Sequence, residues 1–256
     1  LEEEIVRPAI GGINVRRWIV TWDNHFLIYP YDNAGTPVEL GTYEEGLTPE
    51  ERDKKLDKAI ATGIIRLPKV AKYLLQYFDA LATREFEEES LTDYGKRWYE
   101  FHRPREPRIL NANPKIVCPR MMENVRFALD DKGYLILDSC MAVMPNRESQ
   151  TYSETMKKIA TAHRGAKPSK DTSDPHRTFL EYLVGVLNSK VSEFLIKLSA
   201  PFLQGRYYQV SEEFLGSIPI PKESRMLRLI VKQVRQCVKG KCKQDKLDRI
   251  VYQAYE

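Results

Sequence analysis

No loop able to cradle a phosphate stands out in this chain of 256 residues. Such a loop needs clustered glycines opening a helix, and only Gly11 and Gly12 are adjacent, with no Gly-Lys-Ser/Thr after them. A Gly-x-Ser-x-Gly elbow is also missing, which argues against an α/β-hydrolase nucleophile. Four cysteines and four histidines are scattered, and although Cys237 and Cys242 are close in sequence, no second Cys/His pair completes a zinc site. The expectation is reduced thiols in a cytoplasmic protein. No apolar stretch approaches a membrane span, so no membrane partner is expected, and no signal peptide is visible. The first residue is Leu, which is expected of a piece of a longer polypeptide. Asp130-Asp131-Lys132 superficially offers a metal-dependent nuclease its carboxylates and lysine, but reads better as a hairpin turn completed by Gly133. Asn113-Pro114-Lys115 lacks the second proline and the ring of an adenine-methyltransferase motif. The chain is therefore expected to carry no catalysis, metal or cofactor of its own.

What is present is enough apolar material for a sizeable core (42% hydrophobic residues) and a charge that is nearly balanced in total but segregated along the chain. Residues 97–126 hold seven Lys/Arg against three acids, residues 222–249 ten against three, and residues 79–93 one against six. Segregated signs permit a basic face of the kind nucleic acid favours, although charge runs more often are ordinary solvated faces. Three runs place arginine beside aromatic rings: Arg16-Arg17-Trp18, Arg97-Trp98-Tyr99 and Arg206-Tyr207-Tyr208. Arginine forks pair with phosphates and guanine edges, and rings pack on sugars and bases. The runs are either pieces of one surface or unrelated. Arg103, Arg105 and Arg108 follow the second run in a proline-stiffened loop, where Trp98 and Tyr99 are expected to anchor and the arginines to reach out. Trp18 and Trp22 read as core.

The pattern predicts an α+β fold: a mixed or antiparallel sheet with long packing helices and a C-terminal helical segment. Residues 13–31 read as extended. Thr48-Pro49-Glu50-Glu51 is a helix start, with Thr as N-cap and Glu three positions on. A stronger helix is expected from Pro68 to about Glu89, and another over 179–198, with Asn188 and Ser189 inside it for packing or side-chain hydrogen bonds. Strands are expected at 116–117, 125–129, 134–137 and 140–144. Residues 145–177, with seven Lys/Arg and four acids, read as a long loop or insertion holding a short helix near 155–162. A basic helix over 222–239 is broken by Gly240 and followed by a last helix over 244–255. The expected division is a recognition domain over 1–221 and a helical segment over 222–256 packing on it.

Several blocks, in order, give the chain a family likeness. They are Ile5-Val6-Arg7-Pro8 with Gly11-Gly12-Ile13-Asn14-Val15-Arg16-Arg17-Trp18; Leu81-Ala82-Thr83-Arg84; Arg97-Trp98-Tyr99-Glu100-Phe101-His102-Arg103-Pro104; Pro114-Lys115-Ile116; Leu187-Asn188-Ser189-Lys190; Ile218-Pro219-Ile220-Pro221; and Val251-Tyr252 with Tyr255. Together they resemble the TaqI-like C-terminal specificity domain, the target-recognition domain of type IIG restriction-modification enzymes and related N6-adenine methyltransferases. Asn14 stands where that family has Asp, and Gly12 where it has Arg. The resemblance implies sequence-specific recognition of double-stranded DNA for an N-terminal methyltransferase domain, with or without a nuclease. That domain would hold S-adenosylmethionine and flip the target adenine. The residues expected at DNA are Arg16, Arg17, Arg97, Arg103, Arg105, Lys115, Arg120, Lys157, Lys158, Arg164, Lys167, Arg206 and Tyr207. The first two runs fall in the shared blocks and are expected to support and to position phosphate. Arg206-Tyr207-Tyr208 and the 145–177 segment are where base choice is expected. The alternative is a specificity subunit that chiefly docks other subunits through its helices.

Overall fold

The computed structural model describes all residues except 1, 3, 4, 44, 45, 87, 88, 91–94, 164–173, 222 and 223. The fold is α+β, and the chain divides into two compact units, Leu1–Pro8 with Phe26–Asn111, and Ala9–His25 with Ala112–Glu256.

In the first unit, strand β1 (Val6–Ile10) contributes Val6, Arg7 and Pro8 to an antiparallel pair with β2 (Phe26–Ile28). Helix α1 (Pro49–Ala61) begins as the sequence predicts. Thr48 Oγ accepts from Glu51 N–H, and the Glu51 carboxylate accepts from Thr48 N–H. The helix expected over 68–89 is instead two: α2 (Pro68–Leu75) and α3 (Phe78–Ala82). Two short strands follow, β3 (Glu85–Phe86) and β4 (Glu89–Ser90), so the acidic run does not continue the helix. Helix α4 (Pro107–Leu110) is a single turn. The core gathers Ile5, Leu40, Leu56, Leu67, Val70, Leu75, Trp98 and Tyr99.

The second unit is built on a three-stranded antiparallel sheet, with β5 (Lys115–Pro119) between β7 (Ala128–Asp130) and β9 (Cys140–Val143). The Asp130–Gly133 turn exists, but it does not close a hairpin. It hands the chain from β7 to β8 (Leu135–Ile136), which pairs in parallel with Ala9 and Ile10. The turn chemistry was legible locally, whereas strand pairing is a long-range property. A second small antiparallel sheet has the order β10 (Phe202–Leu203), β11 (Tyr207–Gln209), β6 (Met121–Met122).

Helices cover the main sheet. Helix α5 (Gln150–His163) makes the middle of the expected loop helical. Helix α6 (Pro175–Leu187) is buried continuously from Thr178 to Leu187. It approaches α9 (Ser224–Val238) so closely that a Cβ on Gly185 would run into Ile230 and Val234. The long helix expected over 179–198 is broken, and α7 (Lys190–Ser199) starts afresh. Asn188 explains the break. Its Oδ1 accepts from Phe127 N–H (3.0 Å) and its Nδ2 donates to Phe127 O (2.8 Å), satisfying that residue's backbone as a neighbouring strand would. Ser189 then caps α7 by accepting from Ser192 N–H. A short helix, α8 (Glu212–Gly216), precedes α9, and α10 (Gln244–Tyr255) ends the chain.

The cysteine expectation needs correction. Cys118 and Cys140 are free, but Cys237 and Cys242 are joined in a disulfide across the turn after α9. Burial pushes the Cys140 thiol up to about 12, and the Cys118 thiol higher, so neither presents a thiolate.

Candidate nucleic-acid interface

The sequence blocks that carry the resemblance turn out to be joinery. Arg84 donates to Leu81 O, Trp98 O and Glu100 O, tying one block to the next within the first unit. Arg97 donates to Val38 O and to the Tyr99 hydroxyl, and pairs with Glu39 at 3.2 Å. The Trp98 indole N–H donates to Gly41 O, and Tyr99 to Val38 O. Tyr99 and Trp98 thus anchor as expected, but Arg97 is held inward with them. In the second unit, the Tyr255 hydroxyl of α10 donates to Pro219 O and the Tyr182 hydroxyl of α6 to Pro221 O, so the Ile218–Pro221 block is fastened to two helices.

Lys115 is the clearest correction among the residues expected at DNA. Its side chain is 1% exposed and its ammonium lies 2.7 Å from Asp130 Oδ2. Asp130 also accepts from the backbone N–H groups of Lys132, Gly133 and Tyr134. A phosphate could reach Lys115 only by opening the sheet and stranding a buried carboxylate. Arg17 is half-committed: it donates to Val125 O at 3.0 Å and pairs with Glu193 of α7 at 3.5 Å.

The remaining candidates divide between the units. Arg103 is exposed and Arg105 half-buried in the loop of the first unit. In the second unit Arg16 is exposed and has no side-chain partner among the described residues, while the neighbouring Trp18 adopts a left-handed backbone that turns its ring into the core. Trp22 is only half-buried and stacks on Tyr134 at 6.0 Å. Lys157 is exposed on α5, where Lys158 also lies; Arg164 and Lys167 lie outside the described residues.

Arg206 and Tyr207 lie at one end of the β10–β11–β6 sheet, and Arg120 lies at the other, opposite Val210. Gly205 and Arg206 both take left-handed conformations (φ 77° and 69°), making a tight turn between β10 and β11. Glycine accepts this conformation freely, and arginine does so at a cost, which fixes where Arg206 leaves the backbone. Arg206 is exposed, with no side-chain partner among the described residues. Tyr207 is 44% exposed and shares a face with Leu203. Arg120, also exposed, directly precedes β6, and its carbonyl accepts from Val210 N–H.

The sequence reading missed Lys197. Its ammonium sits 2.6 Å from Glu193, 3.3 Å from Asn124 Oδ1 and 6.0 Å from the Tyr208 ring centroid. Glu193 is shared by Arg17 and Lys197, so a continuous polar chain runs from Arg17 through α7 to Tyr208 in the small sheet. The i,i+4 spacing of Glu193 and Lys197 was visible in sequence, but not that it would lie beside Tyr208.

No known protein-family model matches the chain. Among the described residues no three His, Cys, Asp or Glu side chains converge as a metal ion would require, and no helix is long and apolar enough to cross a membrane.

Proposed function

We propose that this chain is a double-stranded DNA recognition domain acting for an N6-adenine methyltransferase of the restriction-modification kind. The observation that carries the proposal is the tight turn of the small β10–β11–β6 sheet, which offers Arg206 and Tyr207 together to solvent. An arginine fork and a ring projected together suit phosphate positioning or base-edge contact. The order of the sequence blocks supports the same reading, because the structural joints they make are those a shared scaffold would keep while its DNA-facing turns vary. In this proposal the chemistry and S-adenosylmethionine belong to a methyltransferase domain, and this chain supplies recognition.

The test is a fluorescence anisotropy titration of the chain with a labelled duplex over a range of salt. Affinity should fall steeply as salt rises, because each phosphate contact releases condensed counterions. A flat salt response would overturn the proposal.

A second reading, a docking module for other subunits, draws on Phe194, Leu198 and Phe202, which are 63–73% exposed. Solution mass measured with and without a methyltransferase partner separates it from the first.

A further inference from the structure

Phe194 and Leu198 lie four residues apart, so they share one face of α7. Phe202 opens the edge strand that follows. Single exposed apolar residues are ordinary, but three large ones within nine positions of one helix–strand segment are not. Their surroundings say what covers them. The Phe202 ring centroid is 5.2 Å from that of Tyr208, and Lys197 Nζ is 6.0 Å from the Tyr208 centroid. Arg206 projects from the turn that joins the two strands, and Arg120 precedes the third. Of the carboxylates near these cations, Glu193 is already shared by Arg17 and Lys197, and Glu123 is exposed. Flat rings at an open sheet edge, beside the exposed Arg206, unpaired among the described residues, match a ligand that is both aromatic and anionic. An apolar protein surface would not need the cation, and an intact duplex would not need the rings, because its bases show only their edges in the grooves.

We infer that this edge is a stacking wedge for nucleobases exposed at a locally opened step of DNA, with Phe202 as its leading ring and Arg206 holding a flanking phosphate. The inference rests on the DNA-recognition reading and adds the state of the DNA that is bound. Insertion of apolar side chains between base steps is a known way for proteins to bend a duplex, and each aromatic stack raises affinity roughly tenfold or more.

The test compares two duplexes that carry the same central 2-aminopurine and differ only opposite it, thymine in one and an abasic site in the other, titrated with the full chain. The wedge predicts about tenfold tighter binding to the opened duplex and a change in 2-aminopurine fluorescence on binding. Phe202→Ala should remove the preference and keep the salt slope, whereas Phe202→Trp should retain both. Phe202 is 63% exposed, so neither variant disturbs the core. Equal affinity for both duplexes with a steep salt slope would reject the wedge and leave DNA recognition standing. Salt-independent binding, or none, to either duplex would reject both. Self-association of the chain abolished by Phe194→Ser would also reject the wedge, in favour of a protein-docking face.

Discussion

Arg97-Trp98-Tyr99 in the first unit and Arg206-Tyr207-Tyr208 in the second are made of the same residue types and meet opposite fates. The first run closes on itself: the Arg97 guanidinium is taken by Val38 O, the Tyr99 hydroxyl and Glu39, and both rings are buried. The second opens outward: Arg206 stands on a left-handed turn and Tyr207 is 44% exposed. The difference lies in the acceptors. Residues 38–41 bring carbonyls and a carboxylate to the first run, while the acceptors of the β10–β11 hairpin point along its own ladder. A cation with satisfied partners loses them on turning to a phosphate, and a solvated one on a firm turn loses only water. Arginine beside a ring is therefore a prompt to look for acceptors, not evidence of a ligand.

Three variants or conditions sharpen this contrast between inward and outward cations. The largest effect is expected from Asp130→Ala, which leaves the Lys115 ammonium buried without a counter-charge, held among the described residues only by Ala112 O at 3.3 Å. The second unit should lose about 3–5 kcal/mol, read by urea unfolding followed through its tryptophans. A loss below 1 kcal/mol would mean that Lys115 reaches solvent after all. Next, Arg97→Ala should lower the stability of the first unit by about 1.5–3 kcal/mol through its charged hydrogen bonds. Arg206→Ala should change stability by less than about 0.5 kcal/mol while weakening DNA binding by about tenfold. If the two arginines exchanged these outcomes, the contrast would collapse.

The smallest effect is a pH dependence at α5. His176 Nδ1 lies 2.9 Å from the Tyr152 hydroxyl and Nε2 3.1 Å from Arg147. Burial, and then the Arg147 charge, lower the His176 pKa from the ordinary 6.5, so the fold favours the neutral ring. Its contribution is complete above pH 6.5 and drains away as pH falls through the lowered pKa. Hydrogen exchange should show α5 amides losing protection on acidification, and His176→Gln should flatten that response. Unchanged protection across this range would count against the coupling.

Legibility followed the range of the interactions involved. The Thr48 cap, the Asp130–Gly133 turn and helices α9 and α10 were readable because their determinants lie within a few residues. The break at Asn188 was only half readable. That Asn and Ser were there for side-chain bonds could be said from sequence, but the partner, Phe127, lies 61 residues away. Lys115 was misread for the same reason. In sequence it is one more cation in a basic stretch, and only the pairing of β5 with β7 places Asp130 against it. Phe194 and Leu198 fell on the apolar spacing of the helix expected over 179–198, yet both are exposed, because spacing identifies a helical face without saying whether another element covers it.

By itself, then, the sequence determined an α+β chain with enough apolar residues for its cores, the local starts and stops of its elements, and a supply of cations beside rings. The tertiary structure alone decided which of those cations are joints and which face outward. The reason is physical: a charge is committed by the acceptors within about 3 Å of it, and here those acceptors are delivered by distant strands and loops that no local pattern names.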